Sequence, residues 1–131
     1  MDVASLISLV GCLVGAGLGV FGLVAPDRAA QLVRLRDDPE RPGGGAEFRA
    51  TYGGLFLGTH LVVIVLLHMP DRGMMVGAAA AVAAAWGVTA LGRLLSMALD
   101  PPSRTGFNGA SVAFELVIAA MIAAPVLATF A

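Results

Sequence analysis

The sequence has no lysine, one cysteine, one tryptophan and one tyrosine among its 131 residues, and only 13% of them are charged. Without lysine, eight arginines face nine acids for a net charge near −1, which leaves no basic surface for nucleic acid. The lone Cys12 excludes an internal disulfide, a Cys-x-x-Cys redox pair and a thiolate zinc cluster, and is expected to be a small packing residue. The shortage of charge excludes most. Soluble domains are about a quarter charged and about 45–50% apolar, and disordered chains are more polar still. Here 58% of residues are hydrophobic and the mean hydropathy is +0.88. The expected class is an integral membrane protein, forming a single domain over residues 1–131.

Long apolar runs are what the chain does contain. No charge interrupts Val3 to Pro26, a run too long for the core of a signal peptide, with Asp2 where such a peptide wants positive charge. Further runs cover Ala50 to Pro70, Gly73 to Gly92 with an extension to Leu99, and Phe107 to the C-terminus with Glu115 inside it. Each is long enough to cross a hydrocarbon core of ~30 Å. The predicted architecture is therefore an all-α, integral membrane, up-and-down four-helix bundle, with spans at about 3–25, 48–69, 73–99 and 107–130. Its short connections imply antiparallel neighbours. In the first loop, Ala29, Ala30, Leu32, Val33 and Leu35 alternate with Arg28, Arg34 and Arg36, the pattern of a short helix lying at the interface. Loops one and three carry Arg28, Arg34, Arg36, Arg41 and Arg104, against Arg72 alone on the other side. The positive-inside rule then makes those loops cytoplasmic and puts both termini outside. This asymmetry argues against a dual-topology multidrug antiporter.

Gly11, Gly15 and Gly19 recur every fourth residue on the first span, with Ser8 continuing the face and Gly22 close to it. Small residues let helix backbones approach closely in lipid. The partner is either another helix of the chain or, through the same Gly11, Gly15 and Gly19 face, a second copy or another membrane protein.

Chemistry is sought among ionisable residues inside spans, because a charge in mid-membrane is costly and tends to face inward, paired and functional. Trp86, Thr89, Arg93, Ser96 and Asp100 form one stripe of the third span; Asn108, Ser111 and Glu115 form one on the fourth; Arg49, Tyr52, Gly53 and His60 share a face of the second. Arg93 and Glu115 each lie seven residues from the cytoplasmic end of their span, about 10 Å in, and are expected to meet. The expected site is a polar chamber in the cytoplasmic half. Glu115, Asp100, Glu47, Tyr52 and His60 are its candidate acid/base groups, and Arg49, Arg93, Asn108 and Trp86 its candidate substrate-binding groups. Duller roles stand beside these: a neutralised pair fixing register for Arg93 and Glu115, a helix-dipole acid for Glu47, and snorkelling ends for Arg49 and Asp100. No metal site or cofactor is expected. Gly43-Gly44-Gly45 lacks the Lys-Ser/Thr of a phosphate loop.

The segment Glu47-Phe48-Arg49-Ala50-Thr51-Tyr52-Gly53-Gly54, followed by Arg93, Asp100 and Glu115, resembles an uncharacterised family of small bacterial four-helix integral membrane proteins, a domain of unknown function loosely DoxX-like. Its pattern is an acid, an Arg and Tyr-Gly-Gly opening the second helix, an Arg and an Asp closing the third, and a Glu inside the fourth. The resemblance implies the four-span fold and the inner (cytoplasmic) membrane of a bacterium, and supplies no activity. The expected partners are the bilayer and a lipophilic small molecule. The expected function is binding or transforming that molecule by acid/base chemistry, as a cofactor-independent isomerase, cyclase or epoxide-opening enzyme. A non-catalytic accessory subunit or scaffold is the alternative, and a small proton-coupled transporter a third.

Overall fold

The computed structural model describes residues 1–35, 38–40 and 43–130. It is helical throughout, with no strand among the described residues. The helices are α1 (Val3–Val24), α2 (Pro26–Leu32), α3 (Gly44–Phe48), α4 (Phe56–Leu66), α5 (Arg72–Leu99), α6 (Gly106–Ile122) and α7 (Ala124–Leu127); a π-helical segment, Arg49–Leu55, joins α3 to α4 without a break. Val3–Val24, Gly44–Leu66 and Arg72–Leu99 are long and apolar enough to cross a membrane. Large apolar side chains stand exposed along them, among them Val10, Leu13, Val62, Val65, Val88 and Leu91.

The chain divides into two compact units, Met1–Cys12 with Val63–Ala131, and Leu13–Val62. In the first, α5 packs along α6 and buries Met75, Ala79, Ala83, Trp86 and Ala90, a stripe of mostly small side chains at helical spacing. The facing side of α6 buries Val112, Glu115, Ile118 and Ile122. Trp86 meets Phe114 edge to face at 5.9 Å between ring centres. Asp71 caps α5 by accepting from the Met74 N–H at 3.1 Å, and Thr105 caps α6 by accepting from the Asn108 N–H at 3.2 Å. At the other end of α5, Arg104 donates to the carbonyls of Met97 and Ala98 at 2.8 and 3.0 Å, satisfying acceptors that have no partner inside the helix. The predicted fourth span is divided. α6 has 17 residues and stops at Ala123, and α7 restarts with Pro125 in its first turn, because proline has no N–H to continue the ladder. At 1.5 Å per residue, α6 alone covers about 26 Å.

Ser8 donates to the carbonyl of Ile122 at 3.0 Å, and a Cβ on Gly11 would stand 3.0 Å from Ile122 Cγ1; this end of α1 lies against the end of α6. The α1 N-terminus is capped by Asp2, which accepts from the Ser5 N–H at 2.8 Å and pairs with Arg72. The Ser5 N–H above all, joined by the Ser5 hydroxyl and Arg72, holds the Asp2 carboxyl below its usual range.

In the second unit the other glycines of α1 meet the Gly44–Leu66 helix. A Cβ on Gly15 would collide with the His60 imidazole, one on Gly19 with the Leu57 backbone, and one on Gly22 would lie 3.0 Å from the Gly53 nitrogen. The glycine face of α1 is thus occupied within the chain. Pro26 starts α2, and the helix ends in a Schellman turn: Leu35 N–H to Ala30 O at 2.8 Å and Arg34 N–H to Gln31 O at 3.0 Å. The residue in the left-handed position is Arg34, with φ of 61°, where glycine is free of strain and other residues pay about 1 kcal/mol.

Candidate functional site

The candidate residues fall into two groups, one in each unit. In the unit of α5 and α6, Arg93 and Glu115 meet as their matched depths predict. Arg93 donates from Nε to both Glu115 oxygens at 3.0 and 3.3 Å and from Nη2 to Oε1 at 2.7 Å. Its Nη1 donates to Asn108 Oδ1 at 3.2 Å, and Asn108 Nδ2 donates to the Ser103 carbonyl at 2.7 Å. The Glu115 side chain is 6% exposed and that of Arg93 27%. All three guanidinium nitrogens and both carboxylate oxygens are engaged, the condition under which a buried pair is tolerated. Trp86 is buried one helical stretch away on α5, against Phe114. Asp100 ends α5, exposed, and its backbone rather than its carboxylate holds the turn: its N–H donates to Ser96 O and its carbonyl accepts from Ser103 N–H, each at 2.8 Å.

In the unit of α2, α3 and α4, the predicted polar face resolves differently. Phe48, Tyr52, Phe56 and His60 form a ladder at intervals of four, with ring centres 4.5, 6.3 and 5.7 Å apart. Tyr52 and His60 belong to it; Arg49 does not. Arg49 Nε donates to the Leu23 carbonyl at 3.3 Å, closing the C-terminal end of α1 as Arg104 closes that of α5. Gly53 is buried against Leu23, whose Cγ lies 2.8 Å from the place of a Cβ. His60 is 2% exposed and its Nδ1 lies 2.6 Å from the Phe56 carbonyl. That oxygen can only accept, so Nδ1 carries the proton in this contact, leaving Nε2 without one in the neutral ring.

Beside the start of this ladder is an open cavity of about 1150 Å³, lined by Pro26, Asp27, Ala30, Gln31, Arg34 and Leu35 from α2 and its end, and by Gly44, Gly45, Glu47, Phe48, Thr51 and Tyr52. Of the candidates drawn from sequence, Glu47 and Tyr52 line it. Asp27, Gln31, Arg34 and Thr51 were not among them. Their signal was available in part: Asp27 and Gln31 are spaced i, i+4 on one helix face, while Arg34 figures in the sequence reading only on the polar side of an interfacial segment. Two of the expected loop arginines, Arg36 and Arg41, lie outside the described residues. No group of three or more metal-ligating side chains occurs among the described residues.

Compared with known proteins, residues 3–124 match the model of a family described as Domain of unknown function (DUF4345). No curated protein and no solved structure matches.

Proposed function

The chain belongs to the DUF4345 family, a domain of unknown function, and from that premise we propose that it is a membrane protein which binds an amphipathic small molecule in the cavity between α2 and the Gly44–Leu66 helix. The observation that carries this reading is the cavity itself. Its walls combine apolar and aromatic surface (Pro26, Leu35, Phe48, Tyr52) with a few polar groups (Asp27, Gln31, Arg34, Glu47, Thr51), the composition of a ligand site. Arg34 on its rim sits in a backbone conformation unfavourable to any side chain, and such strain concentrates at functional positions. Turnover, if the ligand is transformed, falls to Glu47 as base and Tyr52 as proton donor, by isomerisation, cyclisation or epoxide opening, which need proton transfer alone.

The finer topology belongs to the same reading: an up-and-down bundle with four spans, a DoxX-like bacterial lineage, the inner membrane, and the cavity on the arginine-rich cytoplasmic side with both termini outside. Under it, Arg93, Glu115 and Asn108 fix helix register, and Asp100 and His60 hold local structure.

The test is extraction of the protein with its surrounding lipid into polymer-bounded discs, followed by native mass spectrometry. A bound molecule released from the wild type and absent from Thr51→Trp, whose indole would crowd the wall that Thr51 lines, supports the site. A ligand kept by Thr51→Trp, or one lost only on breaking Arg93–Glu115, refutes it. A second reading, a non-catalytic scaffold or accessory subunit, draws on the full engagement of Arg93 and Glu115. It expects no bound molecule, and a partner protein in the same discs.

A further inference from the structure

Resting on the cavity reading, we infer that the π-helical segment is a device for presenting Tyr52, whose hydroxyl is the donor that holds an oxygen of the bound molecule. Phe48 and Phe56 flank Arg49–Leu55, and Tyr52 is its central residue. The ring centres of Phe48 and Phe56 lie 4.5 and 6.3 Å from that of Tyr52, at interplanar angles of 15° and 27°. An α-helix fans apart rings spaced by four, because each step overshoots a full turn by about 40°. The wider π turn, bonded from i to i+5, lacks that overshoot, so the rungs come back over one another. Two rings seven residues apart would align in an unbroken α-helix; the extra residue is what lets a third stand between them. Held in this way, Tyr52 has a ring on each face and is still 39% exposed, on the cavity wall. Its hydroxyl stands apart from the others of the helices. Those of Ser8, Thr59, Thr89 and Ser111 each donate to a backbone carbonyl, whereas that of Tyr52 donates to no group among the described residues. A phenol fixed by stacking, with its hydrogen bond unspent beside an open space, is placed to donate to an oxygen of a ligand.

Tyr52 is the only tyrosine, so labelling the full chain with meta-fluorotyrosine gives a single fluorine resonance. The protein is compared in polymer-bounded discs of its native lipid and in phosphatidylcholine nanodiscs, before and after addition of a total lipid extract of the expression host. The wild-type resonance is expected to lie away from that of free fluorotyrosine, displaced by the stacked rings. It should move between native lipid and phosphatidylcholine, and return with the extract. Deletion of Ala50 closes the segment to an α-helix and leaves Tyr52 three residues from Phe48, about 60° round the axis from it. The deletion should keep the thermal midpoint, bring the resonance toward free fluorotyrosine, and lose the molecule that native mass spectrometry releases from the wild type. Tyr52→Phe keeps the ring and should retain about tenfold less of that molecule, the size of one hydrogen bond. Full retention by either variant, or a resonance unmoved by the deletion, overturns the inference and leaves an amphiphile site standing. So does a midpoint lowered by the deletion as far as by Glu115→Ala, since the wide turn would then serve folding. No released molecule and no shift on changing the lipid overturn the cavity reading itself.

Discussion

Arg93 with Glu115, and Arg34 with Glu47 and Asp27, are guanidinium and carboxylate groups in two settings. On α5 and α6 a buried carboxylate meets a part-buried guanidinium, all three guanidinium nitrogens and both carboxylate oxygens are engaged, and Asn108 and Ser103 extend the network into the loop. Beside α2 the acids stand on the wall of an open space of about 1150 Å³. A filled network resists change and has no capacity left for a ligand. An open wall contributes little to folding and has that capacity. Charge inside an apolar chain therefore marks two kinds of place, and the degree of engagement tells them apart better than depth does.

Breaking the filled network should have the largest effect. Glu115→Ala leaves the Arg93 guanidinium without its counter-charge and is expected to cost about 3–5 kcal/mol, seen as a large drop in thermal midpoint in detergent; Arg93→Met with Glu115→Leu should recover most of it. If Glu115→Ala is no worse than Glu47→Ala, the distinction between the two regions fails. Gly19→Ala, which puts a methyl into the Leu57 backbone, is expected to cost about 1–3 kcal/mol by the same measurement. On the open side, Arg34→Gly should raise stability by about 1 kcal/mol by relieving the left-handed backbone while weakening ligand retention. That opposition of signs is what a strained binding residue predicts, and a gain in both would make Arg34 incidental. Glu47→Ala should change stability by no more than about 0.5 kcal/mol and lower ligand retention. The smallest effect lies at the α1 N-terminus. Because the folded-state carboxyl of Asp2 titrates below its usual range, its stabilisation is complete above the ordinary carboxylate range and is lost as pH falls through its lowered value. Asp2→Ala should flatten that part of a stability–pH curve.

The helices and the Arg93–Glu115 contact were legible in sequence for one reason: both follow from counting along a regular helix, where seven residues from a common end means equal depth. What counting missed are departures from regularity. The π-helical segment is one; Arg49, Gly53 and His60 nonetheless share the side set against α1, at Leu23 and Gly15, and there Arg49 meets a carbonyl. Pro125 was visible, yet an apolar run reads through it. The arginines that close α1 and α5, Arg49 and Arg104, act on carbonyls 26 and 7 residues away, which depends on how the chain turns. The cavity sets Pro26–Leu35 beside Gly44–Tyr52, and no periodicity encodes that pairing.

The π-helical segment carries one more consequence, for the history of the sequence. Arg49–Leu55 winds more widely than the helices on either side. Removing one residue there would let α3 and α4 close into an unbroken α-helix with nearly their present phase, because the wide turn takes up the extra residue locally. His60 would stay against Gly15, and Glu47 and Phe48 beside the cavity. The seven residues therefore absorb an added residue, and a one-residue deletion within them is a change of length that the faces of the helix on either side survive.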